Sequence, residues 1–306
     1  MTGSDVMLLR GLPGDNPLGF LAALGAQVAL AELDAEHRLH WTDEPIPHPV
    51  LSPACGPRDV AQAAGVVAKA WLDGPALDES VDPGLKLKPD EITEYLRRGR
   101  DARSSGSLSA CLLAENSLDN NRRAKPSDLY FTAGQQKFVS MARTILSEVT
   151  EEEMVDDMTK PWSYRSKRES LMWDSVDDRL HALSAADPTK SQNPKLTNPG
   201  AEALAIIGLS RYPCFASPQG TLTQGCSGGW KRGLFVWPLW TAPATGRAVK
   251  SLLAQVGAHT GTRAALRRSG WYRSWGLSRV MQSQIRRSDQ GGYGTFGPHR
   301  VVWQRD

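Results

Sequence analysis

The sequence predicts an α+β fold in which helices are mixed with short antiparallel strands and many loops. Segments with helical periodicity and helix-capping residues alternate with short runs of period-two alternation. The 306 residues include 28 glycines and 20 prolines, which makes the chain loop-rich but not of low complexity. Hydrophobic residues make up 40% and charged residues 23% of the chain, as in ordinary globular proteins.

The first predicted helix covers residues 18–33, and its start is well defined. Asn16 is a favourable N-cap, and Pro17 fits the first helical position, where no backbone donor is needed. Apolar residues occupy most faces of this helix, so we expect it to be buried. A short strand is predicted next, at residues 38–42, because its side chains alternate in period two.

Proline and charge define the following segments. Three prolines exclude regular structure from residues 44–49. A helix is predicted over residues 57–72, with a proline in its first turn and Asp59 near its positive end. A short helix over residues 89–99 begins with acidic residues, ends with arginines and is stopped by Gly99.

Residues 101–110 are predicted to form a flexible loop. A longer amphipathic helix is predicted over residues 133–149 from a single apolar stripe. The stripe consists of Phe138, Met141, Ile145 and Leu146. Five elements are predicted in the last third of the chain. They are a helix at 201–209, a strand at 234–240 that Pro238 interrupts, a helix at 246–256, and strands at 275–287 and 300–304 joined by a glycine-rich connection.

Charge divides the chain into two parts with a soft boundary near residues 185–200, which are rich in loop-forming residues. Residues 1–198 hold 22 basic and 30 acidic side chains, a net charge of −8. Residues 199–306 hold 14 basic and three acidic side chains, a net charge of +11. We therefore predict an acidic, mostly helical part over 1–198 and a basic α+β part over 199–306. The basic part is expected to bind a polyanion.

Several classes of protein are excluded by what the sequence lacks. No apolar run is long enough to span a bilayer and no secretory signal is visible, so we expect a cytoplasmic protein without membrane contact. Four scattered cysteines are expected to be reduced thiols. The usual zinc, nuclease and P-loop patterns are missing, which argues against a metal site, a cofactor and a self-contained nuclease or ATPase.

Two glycine-rich motifs resemble catalytic or cofactor-binding patterns. Residues 225–229 match the G-x-S-x-G nucleophile elbow around Ser227, with Asp289 and His299 following in the order of a hydrolase triad. A strand rather than a helix is predicted after Ser227, which favours a glycine-rich turn. Residues 292–297 match G-x-G-x-x-G, but too little chain follows for a dinucleotide domain. They are predicted to form a hairpin connection.

Three carboxylates cluster at Asp174, Asp177 and Asp178. On a helix, Asp174 shares a face with each of the other two, so a two-carboxylate metal site is one interpretation. Turn capping together with an ion pair to Arg179 is the interpretation that we favour.

The candidate nucleic-acid-binding residues lie mainly in the basic part, where residues 263–306 hold nine arginines and no lysine. The guanidinium group suits bidentate phosphate contacts and stacking on bases. The candidates are Lys231, Arg232, Arg263, Arg267, Arg268, Arg273, Arg279, Arg286 and Arg287, and the flanking Arg300 also suits phosphate contact. On a period-two strand Arg279 and Arg287 share one face, and Arg286 lies on the other. The alternatives are a solvated positive face and a face that docks an acidic protein.

Polar side chains near the start of the helix predicted at 133–149 are candidates for reading base edges. They are Gln135, Gln136 and Lys137. The alternative is that they cap the helix and form a solvated first turn.

Three separate segments carry a likeness to a known family. They are residues 14–25 (GDNPLGFLAALG), 131–138 (FTAGQQKF) and 172–179 (MWDSVDDR). These segments resemble the large-subunit-like proteins of subtype I-U/I-G CRISPR–Cas systems, although the chain is shorter than the longest members. The resemblance implies that the chain is a non-catalytic subunit of the RNA-guided Cascade surveillance complex. Such a subunit contacts the target DNA, often near its short flanking motif. Guide RNA, target double-stranded DNA, other Cascade subunits and a separate helicase-nuclease would be its partners.

Two other functions remain open from the sequence. One is a hydrolase that uses Ser227 as its nucleophile. The other is a protein adaptor whose basic part docks an acidic partner.

Overall fold

The computed structural model describes residues 5–102, 106–132, 136–175, 196–218, 220–227, 232–257, 269–287 and 293–305. Within these ranges the chain forms nine α-helices and three antiparallel sheets, which confirms the predicted α+β class. The helices are α1 (Pro17–Glu32), α2 (Pro57–Leu72), α3 (Pro89–Asp101), α4 (Gly106–Leu112), α5 (Phe138–Glu148), α6 (Glu151–Thr159), α7 (Pro199–Leu209), α8 (Gly246–Gly257) and α9 (Ser269–Ser274). The strands are β1 (Met7–Leu8), β2 (Arg38–Trp41), β3 (Pro49–Ser52), β4 (Cys214–Ser217), β5 (Gly220–Thr223), β6 (Cys226–Ser227), β7 (Leu234–Trp240), β8 (Leu277–Arg287) and β9 (Gly294–Gln304).

The helix α1 forms the centre of the molecule. The Asn16 side chain accepts a hydrogen bond from the backbone nitrogen of Leu18 at 2.9 Å, so the predicted N-cap is confirmed. Every residue from 17 to 30 is buried, as the apolar composition predicts. The helix crosses α7 at a short distance, because Gly25 and Gly208 leave room for the backbone of the opposite helix.

Three further helices surround this central pair. α2 packs on both α1 and α7, while α5 and α6 each pack on α7 and on α2. The end of α6 is tied to the start of α7, since the Asp157 carboxylate accepts hydrogen bonds from the backbone nitrogens of Gly200 and Ala201 at 2.8 and 3.1 Å. An acidic side chain from another helix therefore caps α7.

The sheets are small and antiparallel. Strand order is β1-β3-β2 in one sheet and β6-β7-β8-β9 in another, while β4 and β5 form a separate hairpin. An isolated backbone bridge joins Leu39 of β2 to Ala244, which follows β7, and so brings the β1-β3-β2 sheet close to the end of β7. Two buried indoles strengthen the connection: Trp237 donates to the carbonyl of Gly14 at 2.9 Å, and Trp240 donates to the carbonyl of Leu39 at 2.6 Å.

The charge boundary near residues 185–200 does not separate two cores. α1 belongs to the acidic part and α7 to the basic part, yet they form the most extensive helix pair of the described chain. Aromatic contacts also cross the boundary: Phe20 packs at a tilt on Trp237 and meets Trp240 edge-on. One continuous hydrophobic core therefore joins the acidic and the basic part.

Several predicted boundaries are wrong in the first half of the chain. α3 continues past Gly99 to Asp101, because Arg97 bonds Asp101 across this turn and one glycine costs a helix only about 1 kcal/mol. Part of the loop predicted at 101–110 is α4, which buries Leu108 and Leu112. The prolines at 44–49 do not exclude a strand throughout, since Pro49 is the first residue of β3.

Other boundaries differ at the ends of the predicted elements. α5 begins at Phe138 rather than at residue 133, with Lys137 at its N-cap, and residues 133–135 lie outside the described residues. The apolar stripe predicted for this helix is buried, as expected. β9 extends from Gly294 to Gln304, so the residues predicted as a glycine-rich connection belong largely to this strand. Most of the loop predicted at 185–200 lies outside the described residues, and Pro199 and Gly200 already belong to α7.

Candidate nucleic-acid interface

The hairpin of β8 and β9 carries most of the candidate arginines that the structure describes. Arg279, Arg286 and Arg287 lie on β8, whereas Arg273 lies on α9 and Arg232 precedes β7. Five other candidates lie outside the described residues. They are Gln135, Lys231, Arg263, Arg267 and Arg268.

One face of the hairpin is polar and basic. Side chains on β8 alternate between two faces, and Ile285 is buried opposite Phe296 on the core side. Gln282, Gln284 and Arg286 consequently point to the opposite side, and Arg300 of β9 joins them through its pairing with Gln282. We call Gln282, Gln284, Arg286 and Arg300 the outer face.

The outer face is accessible over part of its area. Gln284 and Arg300 are exposed, and Arg286 is half-buried against Gly297. At the other end of the same face, Trp303 packs edge-on against Tyr272 of α9, with ring centroids 5.2 Å apart. α9 therefore covers one end of this side of the sheet, and Arg286 and Arg300 lie towards the other end.

The guanidinium of Arg300 is oriented by an uncharged group. Its Nε and Nη2 donate to Oε1 of Gln282 at 2.9 and 2.5 Å. Gln282 is itself 1% exposed, so this amide is fixed in the sheet. Because the amide is neutral, it positions Arg300 without cancelling its positive charge.

Arg287 and Arg279 have internal partners instead. Arg287 donates to the carbonyls of Tyr130 and Asp128 at 3.1 and 2.7 Å, and its guanidinium lies over the Phe131 ring. Burial lowers the pKa of Arg287 to about 10, while Asp128 opposes that shift. Arg279 donates to the carbonyls of residues 44 and 45, both at 2.8 Å. These two arginines attach the hairpin to loops of the acidic part.

The remaining described candidates do not lie on the outer face. Arg232 and Arg273 are exposed, and so is Lys137 at the N-cap of α5, next to a half-buried Gln136. No acidic residue occurs between Glu202 and Asp289. Where the structure describes the C-terminal part, its exposed basic residues are Arg232, Arg247, Lys250, Arg273, Arg300 and Arg305.

Ser227 lies in β6, a two-residue strand that pairs with β7 through Leu234. The next element that the structure describes is the strand β7, whereas a nucleophile elbow is followed by a helix. Asp289 and residues 228–231 lie outside the described residues. His299 lies in β9, where its Nε2 is 3.5 Å from the carboxylate of Asp15.

Asp174 has a structural partner. It is 3% exposed and accepts a hydrogen bond from the side-chain amide of Asn16 at 2.6 Å. Asp177, Asp178 and Arg179 lie outside the described residues. Within the described ranges no group of three or more His, Cys, Asp or Glu side chains is arranged to hold a metal ion.

The three segments that carry the family resemblance meet around this hydrogen bond. Asn16 belongs to the first segment and Asp174 to the third. The adjacent Trp173 is buried and packs on Phe138 at the end of the second segment, with ring centroids 6.3 Å apart. The described parts of these segments thus form one packing unit at the start of α1.

The cysteines are free thiols, as predicted. Burial raises the pKa of Cys214 to about 12 and that of Cys55 to about 11, and in Cys55 the nearby Asp59 adds to the effect. Both groups are therefore protonated, and hence weakly nucleophilic, at neutral pH.

A groove that the sequence does not predict lies near the end of β7. It lies between α8, the end of β7 and the end of α9, and its volume is about 750 Å³. Its lining includes Arg38, Trp240, Thr245, Ser251, Gln255 and Trp275. On α8 the lining residues follow the spacing 248, 251, 252 and 255, which is one helix face. That spacing of mostly small or polar residues is the only local feature of the sequence that indicates the groove.

No family model matches this chain, and no curated protein shows significant sequence similarity to it. In the ranges that the structure describes, the helices are all too short or too polar to cross a membrane.

Proposed function

We propose that this chain is a non-catalytic subunit of a CRISPR RNA-guided DNA surveillance complex of the Cascade type. Its basic C-terminal part would contact guide RNA, target DNA or both, in the cytoplasm. Other Cascade subunits and a separate helicase-nuclease would complete the assembly. The proposal rests on the resemblance of three segments to that family and on the charge distribution.

The orientation of Arg300 on the outer face is the observation that supports nucleic-acid contact best. A neutral amide holds its guanidinium at the surface, and the paired strand β8 belongs to residues 203–288, which contain no acidic side chain. Arginine held in this way offers a planar fork of donors that matches a phosphate group. Such contacts release counterions, so the affinity they generate falls steeply with salt.

An adaptor that docks an acidic protein is the main rival, because it would use the same charges. The two functions differ in what a purified chain binds. A nucleic-acid subunit binds naked DNA or RNA, whereas an adaptor shows little affinity for either. A hydrolase using Ser227 receives no support from the position of this residue in β6.

Co-purification is the first test. The tagged chain is isolated from its native host, and the associated RNA and proteins are identified by sequencing and mass spectrometry. Repeat-derived guide RNA together with Cas subunits is the expected result. A clean monomer without RNA would contradict membership in such a complex.

A salt-dependence experiment then tests the outer face. We compare wild type with an Arg286→Gln/Arg300→Gln variant, and use Arg97→Gln as the control because Arg97 is an exposed arginine already paired with Glu94 and Asp101. Each lost phosphate contact should lower the slope of log affinity against log salt by about 0.9 on duplex DNA. An unchanged slope in the double variant would refute the assignment of the outer face.

A further inference from the structure

We infer that the groove between α8 and α9 holds an unpaired nucleobase of a single-stranded nucleic acid. This inference rests on the proposed function, since it assumes that the basic part binds nucleic acid. It adds a second site, distinct from the outer face, and assigns that site a ligand chemistry.

The shape and walls of the groove fit a flat aromatic ring. Its volume of about 750 Å³ lies within the range of small-molecule sites, roughly 300–1,000 Å³. Trp240 forms part of the floor, but it is 0% exposed and fixed by the hydrogen bond to Leu39, so it supports the groove without offering a face for stacking. Trp275 is half-buried and forms part of the wall. Indole faces stack on nucleobases of any sequence.

The aromatic surface continues beyond the groove. Trp271 lies 6.1 Å from Trp275 between ring centroids, with the two rings inclined by 38°. Its side chain is 56% exposed, which is the largest exposure of any large hydrophobic residue that the structure describes. An indole exposed to this extent is costly to leave in water and is typical of a binding surface. A second base of the same strand could stack there.

The charges at the groove favour an anionic aromatic ligand over a cationic one. None of the lining residues is acidic, and Arg38 lies at the rim on β2. Arg247 precedes Ser251 by one helical turn of α8 and is exposed next to the groove. The side chains of Ser251 and Gln255 are also exposed there and offer hydrogen bonds to the polar edge of a base. An aromatic ring with an attached phosphate combines these requirements.

Affinity for a single-stranded oligonucleotide is compared with that for the duplex of the same sequence and for AMP, using fluorescence anisotropy and competition on the full chain. The variants are Trp275→Leu, which keeps an apolar side chain, and Gln255→Glu, which places a carboxylate at the exposed rim. Phe215→Leu controls for an exposed aromatic residue away from the groove, and Gln62→Glu controls for an added surface charge on α2.

We expect Trp275→Leu to weaken single-strand binding about ten-fold or more, in line with base–aromatic stacking elsewhere. Gln255→Glu should weaken it several-fold, and it keeps the test valid if Trp275→Leu fails to fold. Duplex affinity should hardly change in Trp275→Leu, because paired bases cannot enter the groove. AMP should compete only weakly, since it lacks the strand that supplies the other contacts. An oligonucleotide containing 5-iodouracil should cross-link to Trp275 or Trp271.

Three results would overturn the inference. The first is single-strand affinity that is unchanged in both variants while the outer-face variant loses affinity, which leaves the proposed function standing. The second is AMP binding as tight as that of the oligonucleotide, which makes the ligand a free nucleotide. The third is a wild-type chain that binds no nucleic acid, in which case the proposed function fails as well.

Discussion

The close crossing of α1 and α7 makes Gly25→Ala the most demanding test of the fold. A Cβ atom on Gly25 would lie 1.8 Å from the carbonyl oxygen of Leu204 and 3.0 Å from the backbone nitrogen of Gly208. Carbon contacts are normally about 3.5–4.0 Å long, so the two helices would have to separate by more than 1 Å. A backbone carbonyl cannot turn aside as a flexible side chain can.

The size of the effect follows from two opposing contributions. Alanine improves helix propensity over glycine by about 1 kcal/mol. Overpacking of a tight core costs about 1–3 kcal/mol, and contact with fixed backbone places this site at the upper end. We therefore expect Gly25→Ala to lower the free energy of unfolding by about 2 kcal/mol.

Gly65→Ala is the matched control. Gly65 lies in the middle of α2, is exposed, and a Cβ there would meet nothing within 4 Å. The same substitution should stabilise the protein by about 1 kcal/mol at this position. Urea denaturation followed by circular dichroism measures both variants. If Gly25→Ala is as stable as Gly65→Ala, the close approach of α1 and α7 is not real.

Three more predictions follow from single side chains. Burial raises the pKa of Asp157 to about 6 against about 3.9 when unfolded, so protonation favours the folded state and this stabilisation is lost as pH rises through 6. Between pH 7 and pH 5 the free energy of unfolding of wild type should rise by about 1 kcal/mol relative to that of Asp157→Asn. A difference between the two proteins that does not change with pH would refute this. Arg287→Met should cost about 2 kcal/mol of stability, measured by urea denaturation against the exposed Arg305→Met, which should stay within about 0.5 kcal/mol of wild type. Thr150→Ala should cost about 1 kcal/mol in the same assay, because Thr150 caps α6, and no loss would exclude that cap.

Local sequence patterns are sufficient to predict a helix when the residues that start it lie at its own end. α1 was predicted to within one residue and α2 without error, because Asn16, Pro17 and Asp59 act within a single turn. The end of α3 was misplaced, since Gly99 is a helix stop only when nothing bridges that turn, and here Arg97 bonds Asp101. A single glycine costs a helix only about 1 kcal/mol, so it does not by itself fix the residue at which the helix ends.

For the candidate site, only the basic composition of its part of the chain and the strand faces of its arginines can be predicted from the sequence. The charge division and the abundance of arginine identified the basic part, and period-two alternation separated Arg286 from Arg279 and Arg287. The contacts of the individual arginines were not predictable, because Arg287 bonds carbonyls 157 and 159 residues away along the chain. The groove is not predictable for the same reason, since Arg38 of β2, α8 and Trp275 all contribute to it.

The sequence by itself determined where α1, α2 and α3 begin, that α1 is buried and which part of the chain is positively charged. These properties depend on interactions between residues a few positions apart, or on composition alone. Only the tertiary structure decided that Arg279 and Arg287 attach the hairpin to the acidic part, whereas Arg300 faces outward on a neutral amide. The partners of a guanidinium and the walls of a groove depend on elements that are distant in sequence, and these meet only after the core has formed around α1 and α7.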